Sequence, residues 1–281
     1  MDAIQQIHRK LGRAAFLIGN GPNLAARIFP SWKDLLTNAA DRPLSLPIDG
    51  LTNTEVYDLV ELNSGDFTQV KKRVVAQLSL LPSYNLDVHR KLMTFAKDTA
   101  SPVLTTNFDA AFESAIGAKA FHLDSKSFTR FYPWKSYYGF EEMMNPTDGF
   151  GIWKVHGDVR YKDSIRLGLS DYMGSVQKAR QIIHQGSGSL FRGKDIADWG
   201  GRETWLYIWF NMPIIIFGFG FGIDEVFLRW LLIERKRYFN QKGKPMDLYY
   251  VCKDMPSPSA LNLLVHLGVQ VVTVGSYAEL Y

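Results

Sequence analysis

Val103-Leu104-Thr105-Thr106-Asn107-Phe108-Asp109-Ala110-Ala111-Phe112-Glu113 is the stretch on which the fold turns. Pro102 to Thr105 is uncharged and follows Ser101-Pro102, which predicts a short buried strand. Asp109 to Ser114 predicts the first turns of a helix, with Ala110, Ala111 and Phe112 able to pack on a sheet. Between them stand Thr106, Asn107 and Asp109, small polar side chains at the carboxyl end of a strand. In an open α/β sheet that end is where ligands bind. An ordinary helix N-cap would use the same residue types, so the rest of the chain must decide.

Upstream, Ala14 to Ile18 predicts a buried strand that runs into Gly19-Asn20-Gly21-Pro22-Asn23. Glycine there lets backbone N–H groups approach a ligand with no Cβ in the way. A helix predicted from Leu24 would turn its N-terminal dipole on that ligand. The full dinucleotide fingerprint, with its third glycine and distant acid, is absent. Downstream, Gly151 to Val155 predicts another strand, ending in His156-Gly157-Asp158. Ile214 to Phe217 predicts the most buried strand, and Gly218-Phe219-Gly220-Phe221-Gly222 turns out of it toward Asp224, a predicted N-cap for a helix over Glu225 to Phe239. A strand is also expected at Asp247 to Val251 and a last one at Val269 to Val274.

Asp2 to Leu11 predicts an opening helix with Asp2 as its N-cap. Helices are also predicted over Ser31–Ala39, Thr54–Leu62, Phe67–Leu80 and Leu86–Lys97, too much for one crossover between strands. Residues 31–98 therefore read as a helical insertion over the pocket. Residues 121–150 read as a variable loop region, in which Phe128 to Asp148 is aromatic and irregular. The expectation is a single domain over residues 1–281, an α/β fold with an open parallel sheet.

Composition narrows the function. With 46% hydrophobic and 14% aromatic residues the chain builds a globular core. A net charge of +4, without a clustered basic surface, suits an anionic small ligand and shows no nucleic-acid signature. The single cysteine, Cys252, excludes an internal disulfide and a cysteine-based zinc cluster, and fits a cytoplasmic setting. Met1 to Arg13 is polar, unlike a secretory leader. Trp205 to Ile223 carries no charge, but Asn211-Met212-Pro213 interrupts it, so it predicts a short helix, a strand and a glycine turn, with no membrane span. The aromatic stretch Phe131 to Phe140 and the helical block Thr54 to Lys97 carry more apolar surface than one sheet needs, which predicts a homo-oligomer.

Taken in order, Gly19-Asn20-Gly21-Pro22-Asn23, Thr105-Thr106-Asn107-Phe108-Asp109, Lys154-Val155-His156-Gly157 and Gly218-Phe219-Gly220-Phe221-Gly222 resemble the sirtuin superfamily, most of all the bacterial sirtuin-like proteins of anti-phage defence. Trp32-Lys33-Asp34-Leu35-Leu36, and Asp224 with Phe227, are similar to that bacterial branch as well. The resemblance implies a Rossmann-like sheet that binds NAD as substrate, with no metal. It implies that Gly19, Asn20, Gly21 and Asn23 cradle phosphates and that Thr106, Gly218, Gly220 and Asp224 line the cofactor site. By the same resemblance Asn107 orders the nicotinamide ribose and the attacking water, Asp109 holds the carboxamide and His156 acts on the ribose hydroxyls as the base. Two departures separate the chain from the protein deacylases: it lacks their four-cysteine zinc ribbon, and their G-I-P-D-F-R loop is absent after Asn23. The expected activity is therefore an NAD glycohydrolase that depletes NAD in defence, triggered by oligomerisation or by a separate sensor or ATPase protein. A deacylase or ADP-ribosyltransferase, and a non-catalytic sensor of NAD or ADP-ribose, stay open as alternatives.

Overall fold

The structure is a computed structural model that describes residues 1–44, 47–186, 188–193 and 195–281. Ser45, Leu46, Ser187 and Lys194 lie outside the described residues.

In chain order the elements are α1 (Asp2–Leu11), β1 (Ala15–Ile18), α2 (Gly21–Ala26), α3 (Trp32–Asn38), α4 (Asn53–Leu62), α5 (Val70–Gln77) and α6 (Asp87–Asp98). Then follow β2 (Val103–Thr105), α7 (Ala111–Ile116), β3 (Lys119–His122), β4 (Ser136–Gly139) and β5 (Ile152–Lys154). The chain continues through α8 (Leu169–His184), α9 (Trp205–Asn211), β6 (Ile214–Phe217), α10 (Val226–Lys242), β7 (Leu248–Cys252), α11 (Pro258–His266) and β8 (Gln270–Thr273).

The strands form one eight-stranded sheet in the order β3-β4-β5-β2-β1-β6-β7-β8. From β5 to β8 every pairing is parallel. Numbered by themselves, the parallel strands run 3-2-1-4-5-6, the doubly wound Rossmann arrangement. The sheet is mixed because β3 and β4 add antiparallel to the β5 edge. That corrects the reading of Phe128 to Asp148 as irregular: Ser136 to Gly139 is a strand, with Tyr137 and Tyr138 buried. Its aromatic residues look like loop covering in sequence because the pairing that orders them comes from β3 and β5.

Both faces are covered, which the unbroken apolar strands require. Ala15 and Leu17 of β1, with Ile214 and Ile216 of β6, face a core shared with α8, α9 and α10. Phe16 and Ile18, with Ile215 and Phe217, face a second core built with α1, α6 and α7. Each fully buried side chain of this size contributes about 1.5–3 kcal/mol. A third, smaller cluster joins α3, α4 and α5 to Phe108, Ile165 and Leu167 beyond the carboxyl ends of the strands. Unlike α3 to α5, α6 packs with the sheet through Leu92, Met93 and Ala96 and serves as the β1–β2 crossover.

Cap geometry differs from the sequence reading in two places. Asp2 lies inside α1, with Met1 at the N-cap position. Asp224 does not cap α10 through its side chain; Glu225 holds that position and the Asp224 carboxylate turns to Asn53. By contrast, Thr52 and Glu55 form a reciprocal capping box on α4, and Ser31 caps α3. Among the described residues no helix is long and apolar enough to cross a membrane.

Candidate active site

Strand register brings the motifs level. Ile18 pairs with Thr105 and with Phe217, and Thr105 pairs with Lys154, so the chain leaves four neighbouring strands in one row. Asn107 and His156 each stand two residues beyond the paired Thr105 and Lys154. The Thr105 hydroxyl ends its strand by donating to the Ile18 carbonyl at 2.8 Å and accepting the Asn107 backbone N–H at 3.1 Å. Between β1 and β6 the strand order reverses, and a cleft of 860 Å³ opens beyond that point.

Asn20, Gly21, Thr106, His156, Gly218, Gly220 and Asp224 line this cleft, together with Trp32 and Leu36 of α3 and Asn53 and Thr54 of α4. Asn53 donates to Asp224 at 3.3 Å, tying α4 to the turn after β6. The two glycine turns press on each other: Gly21 N–H donates to the Gly218 carbonyl at 2.8 Å. A Cβ on Gly19 would lie 2.4 Å from the Gly218 oxygen, and one on Gly21 would lie 1.9 Å from the Tyr281 hydroxyl and 2.7 Å from the Gly218 Cα. Only glycine fits either position. Helix α2 starts at Gly21, three residues before the predicted start, with Asn20 at its N-cap making no side-chain cap.

Gly19, Asn23, Asn107 and Asp109 are buried and do not line the cleft. Asn23 and Asp109 are joined instead. The Asn23 amide donates to the Asp109 carboxylate at 2.8 Å and to the Asn20 side-chain oxygen at 2.9 Å, while its own oxygen meets His89 Nε2 at 2.8 Å. Burial pulls the His89 pKa down to about 4, so the neutral ring donates from Nε2 and fixes the amide's orientation. The other Asp109 oxygen accepts the Ala111 N–H at 2.9 Å, starting α7. Both carboxylate oxygens are thus engaged within the protein.

Asn107 is the opposite case. It is 2% exposed, and neither its amide nitrogen nor its amide oxygen has a hydrogen-bond partner. His156 is 3% exposed; its Nε2 lies 2.9 Å from both oxygens of Glu225, and its Nδ1 is unpartnered. Gly157 makes the turn possible: its φ is +109°, and a Cβ there would lie 2.2 Å from the Ser164 carbonyl oxygen.

Several lining residues escaped sequence reasoning. In the sequence Glu225 marks only the start of a predicted helix. Arg166 is buried beside the cleft, bound to the Phe131 and Asp163 carbonyls, with burial lowering its pKa. Tyr172 of α8 and Tyr281 reach the cleft from distant parts of the chain. None of them sits in a spacing that marks a site. Cys252 also lines the cleft, but burial pushes its thiol pKa up, away from nucleophilic use. Among the described residues no group of three or more His, Cys, Asp or Glu could hold a metal ion.

Comparison with known families agrees with this geometry. The family model described as the SIR2-like domain matches residues 101–205, which carry the hub, β5 and His156. Over those residues the chain is similar to the SIR2-like domain. Both glycine turns fall outside the matched residues. No curated protein matches the chain.

Proposed function

We propose that this chain is an NAD glycohydrolase that hydrolyses the nicotinamide–ribose bond and acts as a regulated defence effector by depleting NAD. The observation that carries the reading is the pair of unspent buried polar groups at the ends of adjacent strands, the Asn107 amide and His156 Nδ1. Buried polar groups are nearly always paired, and leaving one unpaired costs about 1–3 kcal/mol. Such a cost suits groups that meet a ligand. The defence role rests on the likeness of the four motifs to the bacterial branch.

When bound, NAD supplies a C–N glycosidic bond from which nicotinamide leaves as a neutral molecule; water completes ADP-ribose and one proton is released. Asn107 orients the ribose and the water with a preorganised amide, an effect worth far more in a buried site than in solvent. His156 takes up the proton at Nδ1, the nitrogen that carries no other partner. The backbone at Asn20, Gly21, Gly218 and Gly220 supplies the wall for the phosphates. Asp109 would accept a carboxamide N–H on a remaining lone pair while it keeps its bond to the Asn23 amide.

The test is nicotinamide release beside calorimetric affinity for ADP-ribose, with and without candidate partner proteins. Asn107→Ala lowers the release rate by about 10²-fold or more and changes ADP-ribose affinity little. An Asn107→Ala protein with wild-type release removes the catalytic assignment. A wild type that binds ADP-ribose but never releases nicotinamide favours a sensor. Homo-oligomerisation belongs to the same reading: Phe131 and Phe140 remain 57% and 45% exposed, and sedimentation showing only monomer across micromolar concentrations would count against it.

A further inference from the structure

We infer that Glu225 is the positioning residue for His156, locking the imidazole with its proton on Nε2 so that Nδ1 is the nitrogen offered to substrate. The catalytic consequence rests on the glycohydrolase reading; the lock itself does not.

The geometry is that of an oriented base. Both Glu225 oxygens lie 2.9 Å from His156 Nε2. A carboxylate only accepts hydrogen bonds, so the partner nitrogen must carry the hydrogen. The remaining nitrogen, Nδ1, is then bare, buried and unpartnered. Tyr172 holds the ring edge-on at 5.2 Å and 76°, and Phe227 packs at 6.2 Å. The Tyr172 phenol also faces the Glu225 carboxylate, and burial together with that negative charge raises its pKa well above the ordinary value. Tyr172 therefore stays a neutral phenol beside the carboxylate.

The chain's layout explains how Glu225 gets there. The glycine turn after β6 ends in two adjacent acids, and they part company. Asp224 turns to Asn53 on α4, while Glu225, 9% exposed at the N-cap position of α10, turns to His156 on the other side of the switch point. A proton taken from water or a ribose hydroxyl enters at Nδ1, and the imidazolium so formed keeps its Nε2–H on the carboxylate. Glu225 stabilises that charge without accepting the proton, the division of labour known from Ser-His-Asp triads.

The test reads the tautomer directly. Imidazole ¹⁵N shifts, with the His156 signals assigned by their loss in His156→Ala, should show a single Nε2-protonated ring in the wild type. In Glu225→Gln, whose amide can donate as well as accept, they should show mixed tautomers. In parallel, Glu225→Gln should lower kcat for nicotinamide release by about 10²-fold, the scale of general-base catalysis, with KM nearly unchanged. Glu225→Asp should retain more activity than Glu225→Gln, and both should melt as single transitions. A wild-type ring protonated on Nδ1 overturns the proposal. So does Glu225→Gln turning over at the wild-type kcat. If wild type releases no nicotinamide under any condition, the glycohydrolase reading falls, and the ¹⁵N experiment alone still decides the lock.

Discussion

Asn107 and Asp109 are two residues apart, as are His156 and Lys154, yet the members of each pair live in different electrostatic worlds. Asp109 and Lys154 belong to a paired network: Asp109 binds Asn23 and starts α7, and Lys154 reaches the Asp109 carbonyl. Lys154 also meets Glu113 at 2.9 Å, where both side chains are about 95% buried. Nearby, Asp158 accepts the Tyr138 hydroxyl at 2.5 Å and the Arg160 N–H at 2.8 Å. Two positions along each strand end, the Asn107 amide and His156 Nδ1 have no partner. The paired groups hold the strand ends in place; under the proposed glycohydrolase mechanism the unpaired ones meet the substrate. Burial alone does not separate the two classes, since Asn107 and Asp109 are each 2% exposed.

The strongest way to break this comparison is to remove a charge from the paired side. Lys154→Met leaves Glu113 buried without its cation and should cost about 3–5 kcal/mol, read from urea unfolding near pH 8. Asn107→Ala should cost under about 1 kcal/mol by the same measurement, because it removes groups that have no partner. Equal losses would erase the distinction. Adding Glu113→Gln to Lys154→Met should recover part of the stability, since the two side chains touch.

A Cβ on Gly21 comes next in size. Gly21→Ala must displace the Gly218 backbone as well as the Tyr281 hydroxyl, so it should cost about 1–3 kcal/mol and weaken ADP-ribose binding in calorimetry. An unchanged affinity would detach the glycine turns from the ligand site.

The pH dependence sharpens the paired side further. Burial pushes the Glu113 carboxyl from its ordinary 4.5 up to about 7, against the opposing pull of Lys154. A raised acid means that the folded state binds more protons than the unfolded chain between those values. Its contribution is therefore fully present below about pH 4.5 and is lost as pH rises through about 7. The urea midpoint of wild type should fall over that range relative to Glu113→Gln, which lacks the titrating group. His89, held down near 4, contributes the opposite slope between its ordinary 6.5 and 4, so the difference between the two proteins is the quantity to read. A difference that does not change with pH would place Glu113 in a more solvated setting.

The smallest effect concerns the cleft's own occupant. The Tyr281 hydroxyl would lie 3.0 Å from a Cβ on Gly218 and nearer still to one on Gly21. If the phosphates use that space, Tyr281 must withdraw first, and Tyr281→Ala should tighten ADP-ribose binding by up to about tenfold, the gain from populating the open form beforehand. Weaker binding would make the phenol a contact of the ligand.

Much of this was legible in the amino-acid order because it is local. Ile214 to Phe217 is apolar on both faces, and such a run fits only a strand covered on both sides. Thr106–Asn107 follows its buried strand directly and His156–Gly157 follows one residue after its own, so their place at the carboxyl edge follows from chain continuity. The strand at Ser136 to Gly139 was not legible, since only its antiparallel neighbours order it. Nor was the split between spent and unspent polar groups. Asn23, Asp109 and His89 lie far apart in the chain, and only folding brings α6 against the β1 turn and joins them through the Asn23 amide. Glu225 stands 69 residues from His156, with no periodicity linking them. Sequence determined which polar residues arrive at the sheet's edge, because strands and turns are set by near neighbours. Tertiary structure decided which arrive already paired, because a buried hydrogen bond depends on whatever distant segment packs against it.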